Sequence, residues 1–106
     1  MTQFCLVLVT CGNSAEAKEI SRALVKERLA ACVNIIPRMD SIFYWKNKIS
    51  EERETLLIVK TRISLFSKLS KSVKGLHSYQ VPEIIALPII SGEKNYLNWM
   101  EKETAG

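Results

Sequence analysis

Apolar residues follow two different spacings along this chain. Residues 3–11, Gln3-Phe4-Cys5-Leu6-Val7-Leu8-Val9-Thr10-Cys11, form a short, nearly unbroken apolar run with several β-branched positions. That predicts a strand buried on both faces and therefore central in its sheet. Gly12-Asn13 ends it, and Asn13 with Glu16 has capping-box spacing, so a helix is expected over 14–29. Ala17, Ile20, Leu24, Val25 and Leu29 form its apolar stripe, with Lys18, Arg22 and Lys26 on the wet side. Residues 32–45 predict a long strand, Lys46-Asn47-Lys48 a tight turn, and 49–61 the return strand of a hairpin. Ser64 is placed to cap a second helix with Phe66, Leu69, Val73 and Leu76 inward. A fourth strand is expected over 81–90. A short closing helix follows, with Tyr96, Leu97, Trp99 and Met100 inward and a frayed tail from Lys102 to Gly106.

The order β-α-β-β-α-β plus a terminal helix is the ferredoxin-like α+β pattern. It implies one domain over 1–106, with an antiparallel sheet in the order 4-1-3-2 and two helices on one face. Proline cannot donate to a strand ladder and belongs on edges. Pro37 falls in the second strand and Pro82 and Pro88 in the fourth, the two edges of that sheet. The long second strand, apolar and aromatic toward its end, would be an aggregation template if left bare. A second copy of the same chain is the expected cover, so the protein is expected to be a homo-oligomer.

Composition narrows the function classes. The 106 residues are 47% hydrophobic and 25% charged, an ordinary globular balance. Net charge is +4, spread without a basic run, and no basic-Gly-aromatic RNA-binding string occurs, so no nucleic-acid partner is expected. Apolar runs stay far below the ~20 residues of a membrane span, so no membrane partner is expected either. Three cysteines without Cys-x-x-Cys spacing, and first residues lacking a basic leader region, predict reduced thiols in a cytoplasmic protein. There is one histidine, no nucleophile elbow, no phosphate loop and no His-Glu-x-x-His, so no enzymatic activity is expected.

Strand direction brings the end of the first strand, the hairpin tip, the end of the second helix and the start of the fourth strand to one end of the sheet. Cys11, Asn47, His77, Tyr79 and Glu83 fall at or near that end. Cys11, His77 and Glu83 offer a thiol, an imidazole and a carboxylate, a ligand set suited to zinc or copper. Each also has a structural reading: a small strand-end residue, a hydrogen-bonded histidine, an ion pair. Lys60 ends an apolar strand either as a snorkelling side chain or as an anion contact. With Trp45 and Tyr79 it could line a cleft for an anionic small molecule.

Several strings resemble one family: Ala30-Ala31-Cys32-Val33-Asn34-Ile35, Ser41-Ile42-Phe43-Tyr44-Trp45, Leu57-Ile58-Val59-Lys60-Thr61, Tyr96-Leu97-Asn98-Trp99, and above all the segment from His77 through Tyr79, Pro82 and Glu83 to Pro88. The chain resembles the CutA divalent-cation-tolerance proteins over nearly its whole length. The resemblance implies a homotrimer with an architecture similar to PII signalling proteins. It also implies a link to copper and other divalent cations, no required cofactor and no enzymatic activity. A PII-like small-molecule or partner-sensing scaffold is the alternative. The family's usual His-Pro-Tyr reads His77-Ser78-Tyr79 here. A cysteine and a second histidine proposed as copper ligands in some members align with Val9 and Leu76, and Glu83 is retained.

Overall fold

In the computed structural model, which describes residues 3–104, the chain folds as an α+β domain. Strand β1 (Phe4–Cys11) leads to helix α1 (Ser14–Lys26). A hairpin of β2 (Cys32–Trp45) and β3 (Lys48–Arg62) follows, then a single 3-10 turn (Ile63–Leu65) and helix α2 (Phe66–Leu76). Strand β4 (Ile84–Pro88) and helix α3 (Lys94–Glu103) complete it. The four strands are ordered β2-β3-β1-β4, with antiparallel pairs throughout. Read from the other edge this is the expected 4-1-3-2 order. The prolines sit on or beside the edge strands β2 and β4.

The register of β1 against β3 pairs Val7 with Val59 and Val9 with Leu57, so one face of the sheet is a continuous apolar surface. Ala17, Ile20 and Leu24 of α1 and Leu69 and Val73 of α2 close over it, all fully buried. The opposite face is different. Leu6 and Leu8 of β1, Leu56 and Ile58 of β3, and Ile85 and Leu87 of β4 lie there half-buried or exposed. A single copy therefore covers β1 on one face only, not on both as its composition suggests. β1 is central because it pairs on both edges.

Several boundaries differ from expectation for local reasons. Helix α1 stops at Lys26 because Arg28 turns left-handed (φ 60°) and Leu29 N–H returns to the Leu24 carbonyl at 2.9 Å. Leu29 is thus buried from outside the helix, while Val25 is exposed. Asn13 caps α1 by accepting from Glu16 N–H at 2.8 Å. The Glu16 carboxylate does not complete the box; it turns to the loop after α2, accepting from Ser78 N–H at 3.0 Å. Ser64 makes no cap, because the chain enters α2 through the 3-10 turn with Leu65 as the capping residue.

Strand β4 is shorter than expected, and residues 77–83 form a strap with no regular structure. In α3 only Met100 is fully buried. Tyr96 and Trp99 stay substantially exposed and pack on each other with ring centroids 5.5 Å apart. The expected fraying does not begin at Lys102, since Thr104 is buried and its hydroxyl accepts from Arg62 Nε at 2.8 Å. The rest of that expectation, Ala105 and Gly106, lies outside the described residues.

The hairpin projects from the rest of the domain, and the chain with its hairpin measures 44 × 25 × 22 Å along its principal axes. Its two-residue turn puts both Lys46 (φ 51°) and Asn47 (φ 66°) in the left-handed region, the geometry that matches strand twist. Between Ile36 and Met39 the register slips by one residue, with Arg38 at φ 59°, so β2 carries a bulge where the arm leaves the domain.

Candidate metal centre

Three element ends meet beside the last residue of β1. Cys11 is that residue, Glu16 lies in the first turn of α1, and His77 is the C-cap of α2, its N–H bonded to the Val73 carbonyl at 2.9 Å. One ligand atom from each lies within 4.8 Å of the others. The imidazole side chain is fully buried, and its hydrogen bonds fix its tautomer. β4 pairs with β1 only as far as Val9, and the next carbonyl, that of Thr10, accepts from His77 Nε2 at 2.7 Å. Nδ1 is then the bare nitrogen. It accepts from Tyr79 N–H at 3.0 Å and faces Glu16 Oε1 at 3.8 Å. An imidazole that gives one N–H to a backbone carbonyl and has its other nitrogen 3.8 Å from a carboxylate oxygen, in a cluster that includes a thiol, has the tautomer of a metal ligand.

The electrostatics are lopsided. Burial, followed by the charges of Glu16 and Glu54, pushes the Cys11 thiol up to about 11 from its usual 9.0. Glu16 Oε1 is buried without a hydrogen-bond partner. A buried carboxylate oxygen lacking a donor is costly. A cation would offset that cost and reverse the pressure on the thiol, because the carboxylates that add to the effect of burial on Sγ would stabilise a dication bound to the thiolate. Thiolate, imidazole and carboxylate suit a borderline dication of the zinc or copper type.

Of the residues singled out in the sequence, Cys11, His77 and Tyr79 are brought together. The Tyr79 ring lies 4.7 Å from the His77 ring, centroid to centroid, and its hydroxyl donates to Glu54 Oε2 at 3.0 Å. Burial, that hydrogen bond and the nearby carboxylates push the phenol up to about 12. The expected carboxylate, Glu83, is exposed in the coil before β4 and is not a member of the cluster; Glu16 supplies the oxygen instead. Asn47 and Trp45 belong to the hairpin turn and its flank, with Trp45 paired to Lys48, seven residues along β3 from Thr55, the partner of Cys11. At roughly 3.4 Å per residue that is over 20 Å. Lys60 pairs with Leu6 in the other direction, its ammonium 5.6 Å from the centre of the Tyr96 ring. Within one chain Trp45, Lys60 and Tyr79 do not share a cleft. Val9 is wholly buried in the core and offers no ligand.

Residues 5–103 match the family of the CutA1 divalent ion tolerance protein. The chain belongs to the CutA family. The divalent-cation tolerance protein CutA of Thermus thermophilus is 50% identical over 93% of this chain and 96% of its own length. Human protein CutA is also 50% identical over 91% of the chain, which spans only 54% of that protein. Among solved structures, a divalent cation tolerance protein from Thermus thermophilus superposes with a TM-score of 0.94 at 48% identity, covering 96% of this chain and 99% of that one. CutA1 from Oryza sativa superposes at 0.96 with 42% identity, covering 98% and 95%. The expected cytoplasmic location is not upheld. A CutA of the same fold from Archaeoglobus fulgidus is described as periplasmic, and CutA proteins of Oryza sativa and Arabidopsis thaliana as chloroplastic. Cysteine count and fold therefore do not assign a compartment in this family. No helix among the described residues is long and apolar enough to cross a membrane.

Proposed function

We propose that this CutA-family chain acts in divalent-cation tolerance as a non-enzymatic, cation-binding homotrimer, with Cys11, Glu16 and His77 as the protein ligands. The observation that carries the reading is the buried, unpartnered Glu16 Oε1, held 3.8 Å from His77 Nδ1 in a cluster with the Cys11 thiol. The trimer reading rests on the uncovered apolar face of the sheet and on the hairpin arm, where Ile42, Tyr44, Trp45 and Ile49 are more than half exposed. Faces of this kind are closed by other subunits. A scaffold for anionic small molecules built from Trp45, Lys60 and Tyr79 would need those residues from different copies.

Calorimetric titration of the reduced protein with zinc and with copper tests the site. One cation per chain is expected, with binding abolished in Cys11→Ser and strongly weakened in Glu16→Gln. Unchanged affinity in both variants would show that the cation binds elsewhere.

A further inference from the structure

The cluster is closed from outside by residues 77–79, and the way it is closed bears on its affinity. Three hydrogen bonds hold this strap. Tyr79 N–H occupies His77 Nδ1 at 3.0 Å, Ser78 N–H donates to Glu16 Oε2 at 3.0 Å, and the Tyr79 hydroxyl donates to Glu54 Oε2 at 3.0 Å. The first two rest on atoms of proposed ligand groups. The third reaches across to β3, where Glu54 is buried. The Tyr79 ring lies over Gly12, and a Cβ there would stand 3.2 Å from the phenolic oxygen. A side chain at residue 12 would push the Tyr79 ring outward by a few tenths of an ångström.

Nδ1 has one lone pair. It cannot accept from Tyr79 N–H and bind a cation at the same time. With Nε2–H committed to the Thr10 carbonyl at 2.7 Å, His77 has no other nitrogen to offer. We propose that the strap is a competing internal ligand: a cation reaches His77 only when the Ser78–Tyr79 backbone withdraws, and the Tyr79–Glu54 hydrogen bond sets how firmly the strap stays closed. This inference rests on the cation site proposed above and adds its regulation. Tyr79 is a positioning residue that touches no cation. Because only the open form is competent, apparent affinity is the intrinsic affinity scaled by the open fraction. Weakening the strap without touching a ligand therefore strengthens cation binding.

The test uses the reduced full chain, with zinc chloride as the probe. Tyr79→Phe keeps the ring and removes the bond to Glu54. Gly12→Ala leaves every hydrogen-bonding group in place and presses a methyl group against the phenol. Both are expected to bind zinc more tightly, Tyr79→Phe by roughly fivefold to tenfold, the worth of one ordinary hydrogen bond. In the unsubstituted protein, saturating zinc is expected to speed deuterium exchange at the Tyr79 amide by about tenfold or more, because that amide loses its acceptor. A purely structural role for Tyr79 would give weaker binding instead. Zinc binding that depends on Cys11 but leaves Tyr79 exchange unchanged, or that neither variant strengthens, overturns the strap and leaves the site standing. Absence of zinc binding in the unsubstituted protein and in both variants overturns the site and the strap together. Binding that appears only in the variants supports the strap.

Discussion

At the scale of single residues, the site turns on one glutamate whose sequence signal points elsewhere. Asn13 and Glu16 read as a capping box, and the cap half of that reading describes the Asn13 bond to Glu16 N–H. The box assigns the carboxylate to the N-terminus of α1, yet it serves the end of α2, 62 residues away in sequence. Spacing shows that a side chain can make a local bond but not that a distant competitor offers more. Glu83 was the more obvious carboxylate because it shares a string with His77, but the strap carries it out to solvent. Cys11 and His77 were legible because each ends an element, and element ends follow from topology. Their surroundings have a consequence at alkaline pH. Cys11 rises from 9.0 to about 11 and Tyr79 from 10.0 to about 12, so the folded state favours both protonated forms. Their contribution to stability is complete below about pH 9 and is lost as pH climbs through the two raised values. Urea midpoints are expected to fall between about pH 9 and pH 12, and Cys11→Ala should fall less steeply over that range. An identical slope in the variant would mean that other groups carry the alkaline loss.

At the scale of elements, most of the fold was legible, and the discrepancies have local causes. The element order implies the strand order, and proline placement agrees with it because edge strands tolerate what central ones do not. They do not show that Pro82 leaves the preceding loop unpaired, that Arg28 ends α1 early, or that a 3-10 turn takes the place of a Ser64 cap. Removing the α1 cap, in Asn13→Ala, is expected to lower stability by about 1 kcal/mol in chemical denaturation. The α2 side of the core is more demanding. Leu69 is completely buried against the sheet, and Leu69→Ala should cost about 2–5 kcal/mol in the same measurement, by lost transfer energy and a cavity. A loss below 1 kcal/mol would mean that α2 is only loosely seated, and His77 at its C-terminus would be poorly held.

At the scale of the whole molecule, the sequence signalled an uncovered edge, and the structure adds an uncovered face. Leu6, Leu8, Ile58, Ile85 and Leu87 form an apolar floor that no helix of the same chain fully covers. A charge there is expected to disrupt assembly while sparing the separate core under α1 and α2. Under the proposed trimer the unsubstituted protein is expected to sediment at three times the chain mass, and Ile85→Glu as a folded 12.0 kDa particle. If the variant keeps the larger mass, the subunits meet through another surface. The bulge in β2 matters to the same contact. Before it, Cys32, Asn34 and Ile36 stand on the uncovered side; after it, Met39, Ser41, Phe43 and Trp45 do, because one extra residue switches the parity of the pleat. Deleting Arg38 would heal the pleat without moving the pairing: Ile36 would still face Leu56 and Met39 would still face Glu54, so Phe43 and Trp45 would keep their side. What would go is the extra bend and twist that the bulge puts into β2, and the arm would leave the domain along a different line, correctly dressed but wrongly aimed.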